Sequence, residues 1–264
     1  MRNILLKISY DGTDFCGWQR QDDFKGNEAY KTVQGEIEKA LYKIHKKQVV
    51  LYGSGRTDSG VHALGQAANF YTSIESMPAE NFVRALNDFL SPDIRILQAF
   101  EVPLEFNSRK SATSRIYRYF IYFNQQNPAN NSRFMWYVKK YEPNLEKLNG
   151  FCQCLKGEID CASFAASGDE SISTSRYIED AHFFLQKDIW GNDILVFQIE
   201  ANAFLWKMVR TLTGTLINLD KKNAALDSME KILKSKDRTK AGITAPAEGL
   251  FLYKIKFDGV RRHL

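Results

Sequence analysis

Segments with a two-residue hydrophobic period alternate with segments of helical period along this chain, and that alternation narrows the fold more than any one segment does. Ile4, Leu6 and Ile8 fall on one face of a strand over Ile4 to Ser9, which Asp11-Gly12 ends as a turn. Val33, Ile37, Leu41 and Ile44 then recur at helical spacing, with Thr32 placed to cap the start and Lys46-Lys47 placed against the negative end of the helix dipole. A strand over Gln48 to Tyr52, a strand over Gln66 to Thr72, a helix from Pro78 to Leu90 and a strand over Ile94 to Glu101 follow. A second series keeps a similar order: strand Ile116 to Phe123, helix Leu145 to Leu155, strands Tyr177 to Leu185 and Ile194 to Glu200, helix Phe204 to Leu219, a short helix Ala225 to Leu233 and a last strand Leu250 to Phe257. Strands joined by single helices or by short turns such as Trp190-Gly191-Asn192-Asp193 predict an α+β chain of two α/β-type halves, 1–105 and 106–264. Each half should hold a mixed, mostly antiparallel sheet flanked by helices.

The 264 residues are 44% hydrophobic, enough for one large or two moderate cores. No apolar run is long enough to span a bilayer, and the N-terminal residues lack a signal-peptide apolar region, so no membrane and a cytoplasmic location are expected. Four cysteines, Cys16, Cys152, Cys154 and Cys161, form neither a disulfide framework nor paired zinc knuckles; they read as reduced thiols, and no metal is expected. A net charge of +5, with cations interleaved with aromatics in Arg115-Ile116-Tyr117-Arg118-Tyr119, leans toward an RNA partner; solvated charges on strand faces explain the same pattern.

Two segments ask for a chemical explanation. Gly53 to Ala63, GSGRTDSGVHA, is too polar for core and too rich in glycine for a helix or strand, so it holds Arg56 and Asp58 on a tight loop. Asp58 is either a reactive carboxylate or the acceptor of an Asx turn, and the residue types leave both open. The helix Phe204 to Leu219 is apolar around much of its circumference, so Arg210 on it is either partly buried and in need of a carboxylate or several carbonyls, or a surface arginine lying over an aromatic ring, and the residue types leave both open. Asp58-Ser59-Gly60 also matches the Asp-Ser/Thr-Gly of aspartic proteases, but that dyad needs a second copy, and the chain has only one.

Five segments in order resemble the tRNA pseudouridine synthase A family: Tyr10-Asp11-Gly12-Thr13 with Gly17-Trp18-Gln19; Gly55 to Ala63; Phe106 with Arg109, Ser111-Ala112, Arg115, Tyr117 and Tyr119; Asn202 to Leu205 with Met208-Val209-Arg210 and Gly214; and Ala241-Gly242 with Thr244 to Ala247, Gly249-Leu250 and Leu252. The resemblance implies the pseudouridine synthase fold with an active cleft between its halves, and an isomerase that needs no cofactor. The implied reaction turns uridine into pseudouridine in the anticodon arm of tRNA, at positions 38, 39 and 40. It makes Asp58 the essential carboxylate, Arg210 its cationic partner and Tyr117 the ring that stacks on the uracil. Arg56 would fill the gap left by a flipped nucleotide, Leu250 would wall the pocket, and His62 is structural. A homodimer is implied by the family alone. Asn107-Ser108 departs from the usual His or Asp and Ala, and Ile159 and Cys161 replace the His and Phe of a Gly-x-His-Asp-Phe motif. An RNA-binding protein on the same scaffold without turnover is the alternative, and a dimeric aspartic protease is a further one.

Overall fold

The computed structural model describes residues 1–22, 28–126 and 128–262. These fall into two compact units: Met1–Thr113 with Phe251–Gly259, and Ser114–Leu250 with the chain from Val260 onward. The expected division put 106–264 together, whereas here residues 106–113 and 251–259 belong with the first unit.

In the first unit, strand β1 (Arg2–Tyr10) pairs antiparallel with β3 (His62–Thr72) on one side and with β4 (Ile94–Val102) on the other. Its alternation is realised: Ile4, Leu6 and Ile8 are fully buried, and Lys7 between them is exposed. The free edge of β3 takes two short partners. β2 (Tyr52–Gly53) pairs antiparallel with Asn69 and Ala68, and the last strand, β10 (Leu250–Lys256), pairs parallel with His62 and Ala63. The strand expected over Gln48 to Tyr52 is thus paired only at its end. Helix α1 (Val33–His45) begins and ends where the sequence places it. The Thr32 hydroxyl accepts from Gly35 N, and Lys46 closes the helix in the left-handed region at φ 55°. Helix α2 (Asn81–Asn87) starts three residues later than expected, because its entry uses the i→i+3 bonds Asn81 N to Pro78 O and Phe82 N to Ala79 O.

The second unit carries the antiparallel order β5 (Ser114–Tyr122), β9 (Asp193–Ala201), β8 (Ser175–Lys187) and β7 (Gly157–Asp160), with β6 (Trp136–Tyr137) parallel to β5. The β8–β9 turn is closed by Asp188, whose Oδ1 accepts from Trp190 N and Asn192 N, both at 2.9 Å. Helices α3 (Leu145–Cys152), α4 (Met208–Lys221) and α5 (Ser228–Ser235) complete it. Helix α4 starts at Met208 and not at Phe204, because Lys207 takes φ 58° and breaks the apolar run before it. Trp206 therefore lies outside the helix, 44% exposed, with the Lys207 ammonium 4.3 Å above its ring. The helix itself is buried on nearly every side. Thr213 and Thr215 satisfy their hydroxyls on the preceding turn, on Val209 O and Thr211 O, and the Thr211 hydroxyl meets Thr244 Oγ1 at 3.3 Å, so their burial leaves no polar group stranded.

Candidate active site

The loop between β2 and β3 is shaped from three directions. On the β3 edge, Gln66 stands where neither β2 nor β10 pairs, and its side-chain amide substitutes for a strand: Nε2 donates to Gly55 O at 2.6 Å, and Gly55 N donates to Oε1 at 3.3 Å. From the end of β1 and the turn after it, the Tyr10 hydroxyl meets Thr57 Oγ1 at 2.8 Å, Trp18 N donates to Thr57 O at 3.1 Å, and Gly12 N donates to His62 Nδ1 at 3.0 Å. Within the loop, Val61 N donates to Asp58 O at 3.1 Å and Gly60 takes φ 76°, so the chain reverses directly after Asp58. Thr57 is buried, Asp58 half-buried and Arg56 exposed. The loop thus lifts Arg56 into solvent, anchors Thr57 and holds Asp58 between.

Glycine is required where these segments touch. A Cβ on Gly12 would lie 2.0 Å from Val61 O, and one on Gly17, at φ +93°, would lie 2.6 Å from Thr57 O. The opening Tyr-Asp-Gly-Thr motif is therefore a scaffold of the loop. His62 is fully buried and stacks on Phe251 with ring centroids 4.5 Å apart, which fits the structural role expected of it.

The departure at Asn107-Ser108 has a local explanation. Asn107 Oδ1 accepts from Arg109 N at 3.1 Å and Lys110 N at 3.0 Å, the capping work an aspartate would do. The fully buried Ser108 donates its hydroxyl to Tyr52 O, and its amide donates to Asn69 Oδ1 at 2.9 Å. Arg109 is exposed at the end of this turn.

The other expected residues lie on the second unit. Tyr117 on β5 is 7% exposed and meets Phe204 edge to face, with centroids 5.0 Å apart. Arg210, in the first turn of α4, is half-buried; its Nε donates to Ala245 O at 2.7 Å, while Ala245 N donates to Arg210 O at 3.1 Å. The carbonyl partner anticipated for a buried guanidinium is thus present. Leu250 is largely buried at the start of β10, its amide on Ala247 O at 2.9 Å. Among the described residues, no three His, Cys, Asp or Glu side chains gather as metal ligands, and no helix is long and apolar enough to cross a membrane.

The family model of tRNA pseudouridine synthase matches residues 7–109 and 151–258, stretches that hold the loop with its scaffold and α4 with the residues around Ala245. The chain belongs to the tRNA pseudouridine synthase family. Relatives of the family span nearly all of it. The tRNA pseudouridine synthase A of Treponema denticola is 52% identical over 256 residues, covering 97% of this chain and 93% of that one. Those of Treponema pallidum and Brachyspira hyodysenteriae are 46% and 42% identical, covering 92% and 97% of this chain and 84% and 99% of theirs. Of the five expected site residues in this family member, Arg56, Asp58, Arg210 and Leu250 lie within the matched stretches and Tyr117 lies between them. Sequence reasoning missed Gln66 and Tyr10 as supports of the loop. Gln66 has no local signal, because a polar residue in a strand reads as solvated until its edge partner is known.

Proposed function

We propose that this chain isomerises uridine to pseudouridine in the anticodon arm of tRNA, at positions 38, 39 and 40, with Asp58 as the essential carboxylate. The observation that supports this best is the loop itself. Arg56, Thr57 and Asp58 are held exposed, anchored and half-buried in turn by a scaffold made of the family's opening motif. In the reaction the N1–C1′ bond breaks, C5 bonds to C1′, the C5 proton leaves and N1 gains one, so the product is an isomer and no redox partner is needed. An ionised Asp58 stabilises or attacks the electron-poor carbon as N1 departs. Arg210 takes the part of the cationic partner, the role that the family resemblance gives it. Tyr117, whose ring is set by Phe204, stacks on the uracil, and Leu250 gives an apolar wall. Arg56 occupies the space of the extruded nucleotide, and part of the tRNA-binding energy offsets the few kcal/mol or so of unstacking.

The chain acts as a homodimer in the cytoplasm, where its substrate is used in translation; both statements come from the family and from the substrate. The deciding experiment supplies unmodified tRNA with tritium on C5 of uridine and follows its release. Wild type should release tritium from the anticodon arm, and Asp58→Asn should release none while binding tRNA with near-normal affinity. Release by the Asn variant at the wild-type rate would overturn the assignment of Asp58. Tight tRNA binding without release by wild type would favour an RNA-binding protein without turnover.

A further inference from the structure

Arg210 is held by a carbonyl that has to be held in turn. The Nε of a guanidinium lies in its plane, so a fixed acceptor there sets which way the two Nη groups point. That acceptor, Ala245 O, belongs to a strap running from Ala241 to Gly249 between the short turn Arg238–Lys240 and β10. One end of the strap is anchored on α4 and by Arg238. Gly242 N donates to Thr215 Oγ1 at 2.9 Å, and Arg238 donates to Gly242 O and Thr244 Oγ1, each at 3.1 Å. The other end lies on the ring of Tyr119. A Cβ on Gly249 would come within 2.5 Å of Tyr119 Cε1, Phe120 N donates to Gly249 O at 2.8 Å, and the Tyr119 hydroxyl donates to Pro246 O at 2.7 Å.

We propose that Tyr119 is a positioning residue for Arg210: its hydroxyl fixes the Pro246 carbonyl and, through the peptide between them, the Ala245 carbonyl that orients the guanidinium. The proposal rests on the reading of Arg210 as a group that takes part in the chemistry. Tyr119 is itself immobilised, fully buried and paired with Phe197 in the β5–β9 ladder, so its hydroxyl is a fixed point. Burial and the nearby Glu248 push its phenol pKa well above the ordinary value, against an opposing pull from Arg210. The hydroxyl therefore stays a donor across the working range. Arg238 plays the matching part at the other end of the strap.

Single-turnover tritium release at graded tRNA concentrations separates positioning from a general loss of stability. Tyr119→Phe should lower the maximal rate roughly tenfold or more while the half-saturating tRNA concentration stays unchanged, the mark of an interaction used in the transition state. Tyr141→Phe is the control. It removes another tyrosine hydroxyl bond of the same unit, to Asp220 at 2.6 Å, and should cost comparable stability in urea with no change in rate. Arg210→Met should abolish release. If Tyr119→Phe keeps the wild-type rate while Arg210→Met is inactive, the positioning role is overturned and the reading of Arg210 stands. If Arg210→Met is as active as wild type, that reading fails and the proposal fails with it. Should Tyr119→Phe not fold, Arg238→Met carries the same expectation, a lower rate at unchanged half-saturation, and an unchanged rate there would overturn the proposal.

Discussion

The hydroxyl of Tyr10 bonds Thr57 Oγ1 at 2.8 Å, inside the protein, one residue from Asp58. Tyr10 closes β1 just past a register shift, since Ile8 faces Gln66 but Tyr10 faces Ala63. A bulge of this kind re-aims a side chain, and here it brings the tyrosine onto the loop. Tyr10→Phe should therefore cost about 1 kcal/mol of stability for the lost bond. Turnover should fall further than stability, because the loop loses its anchor beside the carboxylate. Urea unfolding together with tritium release at saturating tRNA measures both; a rate equal to wild type would mean that Trp18 N alone suffices to hold Thr57.

Gly17 makes a harder demand on the sequence. At φ +93° an L side chain is strained by roughly 1 to 2 kcal/mol, and the added Cβ would also press within 2.6 Å of Thr57 O. Gly17→Ala should destabilise the protein by more than the backbone term alone and should displace the loop. Gly55→Ala is the comparison, since its Cβ would make only ordinary contacts, with Leu252 Cδ2 at 3.4 Å and Gln66 Oε1 at 4.0 Å. Equal loss of stability in the two variants would show that contact with the loop is not what requires glycine at 17.

These positions mark how far the sequence could be read. The ends of α1 were legible because Thr32 and Lys46 do local work there, a side-chain cap and a left-handed close. The start of α4 was not, because Phe204-Leu205-Trp206 continues the apolar pattern, and only the conformation of Lys207 stops it. The four-residue strand β7, Gly157–Asp160, gave no periodic signal, being too short to establish one. At the site, a loop rich in glycine and charge announced itself through residue types. Its supports did not: Gln66, Ser108 and Tyr10 act across strand pairings that join residues far apart in the chain.

Thiol chemistry provides a check on the packing. Cys152 and Cys161 are fully buried, and burial pushes the Cys161 thiol up to about 12 and the half-buried Cys154 thiol up to about 11. The reactive thiolate is thus scarce at neutral pH for both, and Cys152 is shifted in the same direction. Cys16 alone of the four is exposed. A disulfide reagent at pH 7.5 should titrate one thiol quickly in the native protein and all four in urea. Three or more fast thiols in the native protein would contradict the burial of Cys152 and Cys161.

Acid stability should depend on Asp160, the carboxylate left from the altered Gly-x-His-Asp-Phe motif. Lys236 Nζ lies 2.8 Å from Oδ2, Thr174 Oγ1 donates to Oδ1 at 2.6 Å and Ala162 N at 3.0 Å, so the carboxylate ties the end of β7 to α5 and to the turn at Ala162. The Lys236 bond, with help from Thr174 and against the cost of burial, lowers the pKa below the ordinary carboxylate value. A carboxyl with a lowered folded pKa binds its proton less tightly in the native state. It therefore stabilises the fold above its unfolded pKa of about 3.9, and that contribution fades as pH falls through the lower folded value. Asp160→Asn should be less stable than wild type at pH 7, by no more than about 1 kcal/mol because Lys236 is largely exposed. The gap should close as pH drops below about 4, where the wild type takes up the proton that cancels its charge. Urea unfolding of both proteins at pH 7, 5 and 3.5 measures it. A gap that stays constant with pH would mean that Asp160 works through its neutral hydrogen bonds, and that the ion pair with Lys236 contributes nothing to the fold.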